Sequence, residues 1–364
     1  MNTQTFLLDK LTIVIPSYNR HLFLKRSLSF WSKYNVKVVV MDGSENSLDK
    51  TFLNKLSTNI KYIHDQRSLY ERLLSSSNYI DTEFVIFGSD DEFYLPSALL
   101  SCVKFLSKEE TYSSCQGLAI GFGTRKHGKE VYGFQQYIEF RDLCLHLDQG
   151  NILQRITKHF SNYTMAHTWS VVRFDKWKTI CKYIFEKEYN FCGVFEMQLE
   201  FLVMVSGKTK IIPELMWLRN NEVPGIRGTS PSMSNEILLK DWWKDKSYKI
   251  EKKDFIYRMK KACDELLNDK HLKFTEEIIV DIFECYLNKK RPQGGRFIKF
   301  YNKIIAKIKK LIIFFLPHLD WHEIRTIKYK NLKDAAKELD LLGYKVDHKE
   351  LNQIISHLGA QNED

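Results

Sequence analysis

Between residues 11 and 87 the chain alternates between short strand-like runs and amphipathic helical segments, and few folds accommodate that order. LTIVI (11–15) is a continuous run rich in β-branched residues, which suits a strand buried on both faces of a parallel sheet. Pro16 and Ser17 are expected to break it, with a helix over 22–31. VKVVVM (36–41), IKYI (60–63) and EFVIF (83–87) read as further strands, separated by helices over 47–56 and 68–78. Strands and helices in strict alternation with short connections indicate βαβ units, hence an α/β fold with a mostly parallel sheet. Ligands of such sheets sit beyond the carboxyl ends of the strands.

The pattern is harder to read from 97 to about 165, where GLAIGFGTRKHG resembles a strand and a turn. TWSVVRF (168–174) is strand-like, 190–206 helical and 209–212 a strand again. The Gly/Pro/Ser-rich segment 221–234 reads as a long functional loop or a linker. Beyond it the chain is lysine-rich and helical. We therefore expect one α/β domain over 1–234, in two parts, about 10–100 and 101–234. A basic, mostly helical region follows over 235–364.

A net charge of +10 favours an anionic partner without naming one. Seven cysteines, an odd set with no CxxC and no zinc-type Cys/His spacing, point to free thiols in a reducing compartment. The first residues lack the basic and apolar regions of a signal peptide, and no stretch reaches the ~18–20 apolar residues of a membrane span. The expectation is a cytoplasmic protein, free or peripheral on the inner face of the membrane.

Three polar clusters follow strands: Pro16-Ser17-Tyr18-Asn19-Arg20, Asp42-Gly43-Ser44, and Gly88-Ser89-Asp90-Asp91-Glu92-Phe93. In a doubly wound sheet they converge on one crevice. The first offers backbone N–H groups and an arginine to a nucleotide, and the second a carboxylate to a base or ribose. The third offers hard oxygen ligands for Mg²⁺ or Mn²⁺, which bridges a diphosphate and stabilises it as a leaving group.

TIVIPSYNR, VVVMDGSEN and FVIFGSDDEFYLP, in that order and spacing, resemble the nucleotide-binding half of GT-A glycosyltransferases of the inverting, family-2-like kind. The resemblance is clear over 11–100 and traceable to about 222. It implies a nucleotide-diphosphate sugar donor, a divalent metal, and a glycan or lipid-linked acceptor of surface-polysaccharide synthesis. It also implies that Pro16, Tyr18 and Arg20 line the nucleotide pocket, that Asp42 contacts the base, and that SDDE is the DxD-type motif. Anchored on Pro96, Asp91 falls on the metal ligand and Asp90 on a ribose contact. Read as D-x-E, Asp90 and Glu92 are the pair, and both registers stay open here.

Inverting transfer needs a base for the acceptor hydroxyl. The resemblance places it on the helix of FCGVFEMQLEFLVMV, at Glu196, with Glu200 one turn further as the alternative. Asp65 is a candidate base contact and Arg72 a candidate phosphate ligand, against the default of an exposed Arg67/Glu71/Arg72 charge cluster on one helix. His167 and Trp169 are candidates for the sugar pocket or for the core, and Arg227 for a lid over the diphosphate.

RFIKFYNKIIAKIKKLIIFF (296–315) has apolar residues at helical spacing, a lysine/arginine face and no acid. It suits an amphipathic helix on an anionic membrane surface, or one packed on the catalytic domain with solvated lysines. Trp242, Trp243 and Trp321 extend that aromatic surface. A sugar-nucleotide-forming nucleotidyltransferase is disfavoured by the glycine-free PSYNR, while alditol-phosphate transfer stays open on the same scaffold. A lipid-binding role rests on the tail alone, and no nucleic-acid motif accompanies the charge.

Overall fold

A computed structural model describes residues 8–124, 131–134, 147–161, 167–189, 194–220, 239–267, 274–287 and 330–360. Four parallel strands form its nucleotide-binding side: β1 (Leu11–Ser17), β2 (Lys37–Asp42), β3 (Ile60–His64) and β4 (Phe84–Phe87). Helix α1 (His21–Trp31) joins β1 to β2, and α2 (Leu69–Ser76) precedes β4. The expected helix over 47–56 contracts to Lys50–Leu53, capped by the Asp49 side chain. Ser68 and Glu71 close a reciprocal capping box on α2.

β1 does not break at Pro16. It runs on to Ser17, with Pro16 opposite Met41 and Ser17 opposite Asp42. The ladder to β4 ends at Val14 opposite Phe87, so the imide of Pro16 faces the side of β1 that has run out of partners. Ser17, on the other side, accepts from Gly43 N at 2.9 Å.

The second half of the sheet is mixed. β5 (Phe93–Tyr94) leads into α3 (Pro96–Lys108), followed by the long β6 (Tyr112–Thr124) and β7 (Val131–Phe134). Then come α4 (Ile152–Ser161), a 3₁₀ turn (His167–Trp169), β8 (Val171–Arg173), α5 (Phe174–Phe185), α6 (Val194–Ser206) and β9 (Lys208–Asn220). β8 is antiparallel to both β4 and β6, and β9 lies parallel to β6 and antiparallel to β5. β9 exceeds the strand expected over 209–212 because Trp217 and Leu218 pair with β5.

The C-terminal region is built into this body. Trp242, expected at the surface, is wholly buried: its ring meets Tyr189 and Phe255, and its Nε1 donates to Glu251 Oε2 at 3.1 Å. Trp243 stacks on Phe283 at 5.5 Å. Helices α7 (Lys249–Leu266) and α8 (Glu276–Leu287) share a core with α5 and α6 through Phe255, Met259, Ile279 and Phe283. At the other end β10 (Lys330–Asn331) pairs with β7, and α9 (Leu332–Leu341) and α10 (His348–Ala360) bury Leu339, Leu351 and Ile354 in the core containing β1. Helix α3 has no side-chain cap of its own. Glu350 of α10 supplies one, accepting from Ser97 N at 3.0 Å and Ser97 Oγ at 2.7 Å. Segments 221–238 and 296–315, with Arg227 and Trp321, lie outside the described residues. Among those described, no helix is long and apolar enough to cross a membrane.

Arg72 corrects the sequence expectation: it is neither an exposed ion-pair partner nor free for phosphate. It is 3% exposed, and its Nη1 donates to Ser17 O at 2.8 Å and Met41 O at 2.6 Å, while Nε donates to Arg67 O. The guanidinium ties the ends of β1 and β2, and it fills the space over Gly43, where an added Cβ would lie 2.3 Å from Cζ. Gly43→Ala should therefore cost about 1–3 kcal/mol by overpacking. That cost should show as a lower urea midpoint with unchanged slope. In an Arg72→Ala background the added cost should fall below about 0.5 kcal/mol, a non-additivity that a double-mutant cycle reads directly.

Candidate functional site

The clusters after β1, β2 and β4 do converge. Arg20, just after β1, reaches the loop after β4: its Nη1 lies 3.0 Å from Asp90 Oδ1, and its Nη2 bonds Asp91 Oδ2. Burial works against its charge, but Asp90 and Asp91 hold it above its ordinary range. Ser17 Oγ donates to the other Asp90 oxygen at 2.8 Å, and Ser89 Oγ donates to Asp91. Between the first two clusters stands Asn19, the one described non-glycine residue with a positive φ, at 53°. Its N–H donates to Ser44 Oγ at 2.8 Å and its side-chain oxygen accepts from Glu45 N. Asparagine is among the residues that tolerate this region best, and backbone strain of this kind gathers at binding loops.

Asp42 is fully buried at the end of β2. One oxygen accepts from Ser44 N and Ser44 Oγ; the other accepts from the Tyr62 hydroxyl at 2.6 Å and lies 3.5 Å from His21 Nε2. Burial and the bond to Asp42 push the Tyr62 phenol up to about 12, so it stays a donor. Pro16 and Tyr18 are half-buried beside this group. Asp65 turns to Arg67, whose Nε donates at 2.9 Å, and this bond holds its carboxyl below the usual range.

Asp90, Asp91 and Glu92 are 2%, 6% and 8% exposed, three adjacent carboxylates almost out of water. Burial, then the charge of Asp91, pushes Asp90 up to about 7, and the same two causes raise Glu92 well above the carboxylate range. The cluster holds more negative charge than Arg20 and Arg219 neutralise, the condition a hard divalent cation relieves. The donor set thus fits Mg²⁺ or Mn²⁺. Glu92 is engaged elsewhere: it accepts from Trp217 Nε1 at 2.9 Å and lies 3.8 Å from Arg219 Nε. Asp90 and Asp91, which share Arg20, are the pair facing the β1 loop.

Glu196 opens the first turn of α6, half-buried. Burial raises its carboxyl to about 7; Arg219 opposes the rise and Glu200 adds to it. Arg219 thus acts electrostatically on both Glu92 and Glu196. Glu200, the alternative base, is corrected by the structure. It is fully buried, and one oxygen accepts from Thr168 N at 2.7 Å and Thr168 Oγ1 at 2.9 Å, so it has no face for an acceptor. His167 is likewise core, 2% exposed, rather than pocket wall. Trp169 stacks on Trp217 with ring centroids 5.1 Å apart.

Sequence reasoning missed His21, Tyr62, Arg26, Trp217 and Arg219, and gave Ser17 and Ser44 no role beyond membership of their clusters. Arg219 carried a usable signal, a cation closing the apolar run LMWL of β9. Arg26 sits 8% exposed on α1 against the rings of Phe23 and Phe93, with burial lowering its pKa while Asp91 and Asp90 oppose that. Trp217→Phe keeps the ring against Trp169 and removes the N–H from a buried carboxylate. Chemical denaturation should show a loss of about 1.5–3 kcal/mol.

Residues 12–177 match the family model described as Glycosyl transferase family 2. A search of curated proteins finds no match. Among solved structures the chain is similar to S. aureus TarS, at 14% identity and TM-score 0.44, covering 79% of this chain and 44% of that one. It is also similar to S. aureus TarS 1-349 in complex with UDP-GlcNAc, at 15% identity and TM-score 0.47, covering 78% of this chain and 74% of that one. The chain therefore spans less than half of the longer TarS structure. With the acidic cluster at the carboxyl ends of a parallel β3-β2-β1-β4 sheet, residues 12–177 are similar to glycosyl transferase family 2 domains of GT-A type.

Proposed function

We propose that the chain transfers a sugar from a nucleotide-diphosphate donor to a hydroxyl of a glycan or lipid-linked acceptor, with inversion, in the making of a surface polysaccharide. The observation that carries this reading is the placement of two acidic groups. Asp90 and Asp91 lie under Arg20, and Glu196, with its carboxyl raised to about 7, feels the charge of Arg219, which lies 3.8 Å from Glu92. Asp42, with Tyr18 and Pro16 beside it, receives the nucleoside, and Asp65 borders that end of the crevice. Asp91 would hold Mn²⁺ or Mg²⁺ with Asp90 at its side, next to Glu92, which Trp217 holds. When bound, the metal neutralises the diphosphate and makes it a better leaving group.

Glu196 accepts the proton of the acceptor hydroxyl as that oxygen attacks the anomeric carbon and the bond from that carbon to the diphosphate oxygen breaks. A carboxyl with a pKa near 7 suits a general base, since it is a stronger proton acceptor than an exposed glutamate and is half ionised at neutral pH. Arg219 keeps it from rising further. The basic, apolar segment 296–315 would hold the enzyme at the inner membrane face, where lipid-linked acceptors are presented. The TarS complex with UDP-GlcNAc supports a uridine nucleotide as the first donor to try.

Calorimetric titration of nucleoside diphosphates with Mn²⁺ should show one nucleotide bound, with binding lost on chelation and in Asp91→Ala. Absence of binding for every nucleotide and metal would sink the site. Glu196→Gln should lower kcat by about 10²–10⁴-fold while nucleotide affinity stays unchanged. Because Glu196 works deprotonated, wild-type kcat/KM should fall about tenfold per unit as pH drops below about 7. At saturating metal, which would hold Asp90 ionised, the Gln variant should lose that limb.

A further inference from the structure

Apart from the acidic cluster, one group of metal-binding side chains converges in the described residues. His159 ends α4, His167 begins the 3₁₀ turn before β8, and Glu200 lies on α6. One potential ligand atom from each lies within 4.8 Å of the other two, and all three residues are buried. The donors come from three separate elements, so tertiary folding alone brings them together.

Two features set this group apart from an ordinary buried ion pair. First, Thr168 occupies one oxygen of Glu200 from its N and Oγ1, which turns the other oxygen to His159 Nε2 at 2.9 Å. Second, His167 Nδ1 is buried with no hydrogen-bond partner. A buried imidazole nitrogen with no partner, in a ring whose centroid lies 5.0 Å from that of His159, is poorly explained by packing alone.

We propose that His159, His167 and Glu200 form a zinc site distinct from the nucleotide metal. Two imidazole nitrogens and one carboxylate select zinc over Mg²⁺ or Mn²⁺. Ligand atoms of a tetrahedral zinc lie roughly 3.3 Å apart, given bonds of about 2.0–2.1 Å. The His159–Glu200 pair, at 2.9 Å, is already inside that reach, and the full set, within 4.8 Å, closes on the ion when it binds. Zinc binds in place of the proton between His159 and Glu200, and that proton leaves to solvent. Thr168 is the outer partner that orients the carboxylate. The position at the C-terminal end of α4 adds the favourable end of a helix dipole.

The site braces the active crevice. Glu200 is one turn from Glu196 on α6, and Trp169, two residues after His167, stacks on the Trp217 that holds Glu92. A metal here locks the base-bearing helix to the turn behind the acidic cluster.

Elemental analysis of the purified full chain, after dialysis, tests this directly. About one zinc per chain is expected in wild type and in Asp91→Ala, and a loss of at least tenfold in folded His167→Ala. The metal-free chain loaded with Co²⁺ should show the intense visible bands of a low-coordinate, nitrogen-ligated ion. Those bands should persist in Asp91→Ala and vanish in His167→Ala. If His167→Ala fails to fold, the wild-type cobalt spectrum decides: a pale six-coordinate oxygen spectrum overturns the proposal. Wild type that takes up neither zinc nor cobalt overturns it too, as does uptake lost in Asp91→Ala but kept in His167→Ala.

Discussion

Everything at the crevice depends on how the fold keeps several carboxylates nearly dry in one place. Arg20 does most of this, joining the loop after β1 to Asp90 and Asp91 after β4. Burying such charges is costly unless each has a partner and its remaining lone pairs are satisfied. Ser17, Ser89 and Trp217 complete that set, one donor for each of Asp90, Asp91 and Glu92. The compensation is partial, as the raised carboxyl of Asp90 shows. A site left short of positive charge in this way is prepared for a cationic ligand.

The scaffold beneath is stiffened by buried polar groups with the opposite balance. Arg72 faces only backbone carbonyls, and it fastens the ends of β1 and β2 beside Asp42. Asn59 does similar work at the far end, its Nδ2 donating to Val36 O at 2.6 Å and Tyr34 O at 3.1 Å. The C-terminal helices enter the same economy. Glu350 caps α3 directly behind the acidic cluster, and His357 Nε2 lies 2.9 Å from the carbonyl of Arg26 on α1. The end of the described chain thus supports the two helices that flank the donor side of the crevice.

Legibility followed the range of the interaction. LTIVI, VKVVVM and EFVIF read as strands because burial on both faces demands apolar residues at every position, a local property. The helix over 47–56 was overread because its residues face solvent and little packing rewards extension beyond Lys50–Leu53. Pro16 was read as a breaker because its tolerance depends on where β4 stops, which lies seventy residues away. Glu196 and Glu200 share a helix and a residue type. Only the packing of Thr168 and His159 shows that one is sealed in the core while the other borders the crevice.

Residue order alone settled the class of fold and the chemistry collected at the strand ends, because periodicity and strand-end polarity are written within ten or so consecutive residues. Tertiary structure decided which of those polar groups face one another across the strand ends and which fasten the scaffold. Arg20 and Arg72 are both arginines beside strand ends. One meets carboxylates and the other carbonyls, because the first lies opposite the loop after β4 and the second beneath Gly43. Trp242 looked like a surface aromatic until Tyr189 and Phe255 closed over it. Partners distant in the chain set the role of a charged or aromatic side chain, since its energy depends on what water it loses and what replaces it.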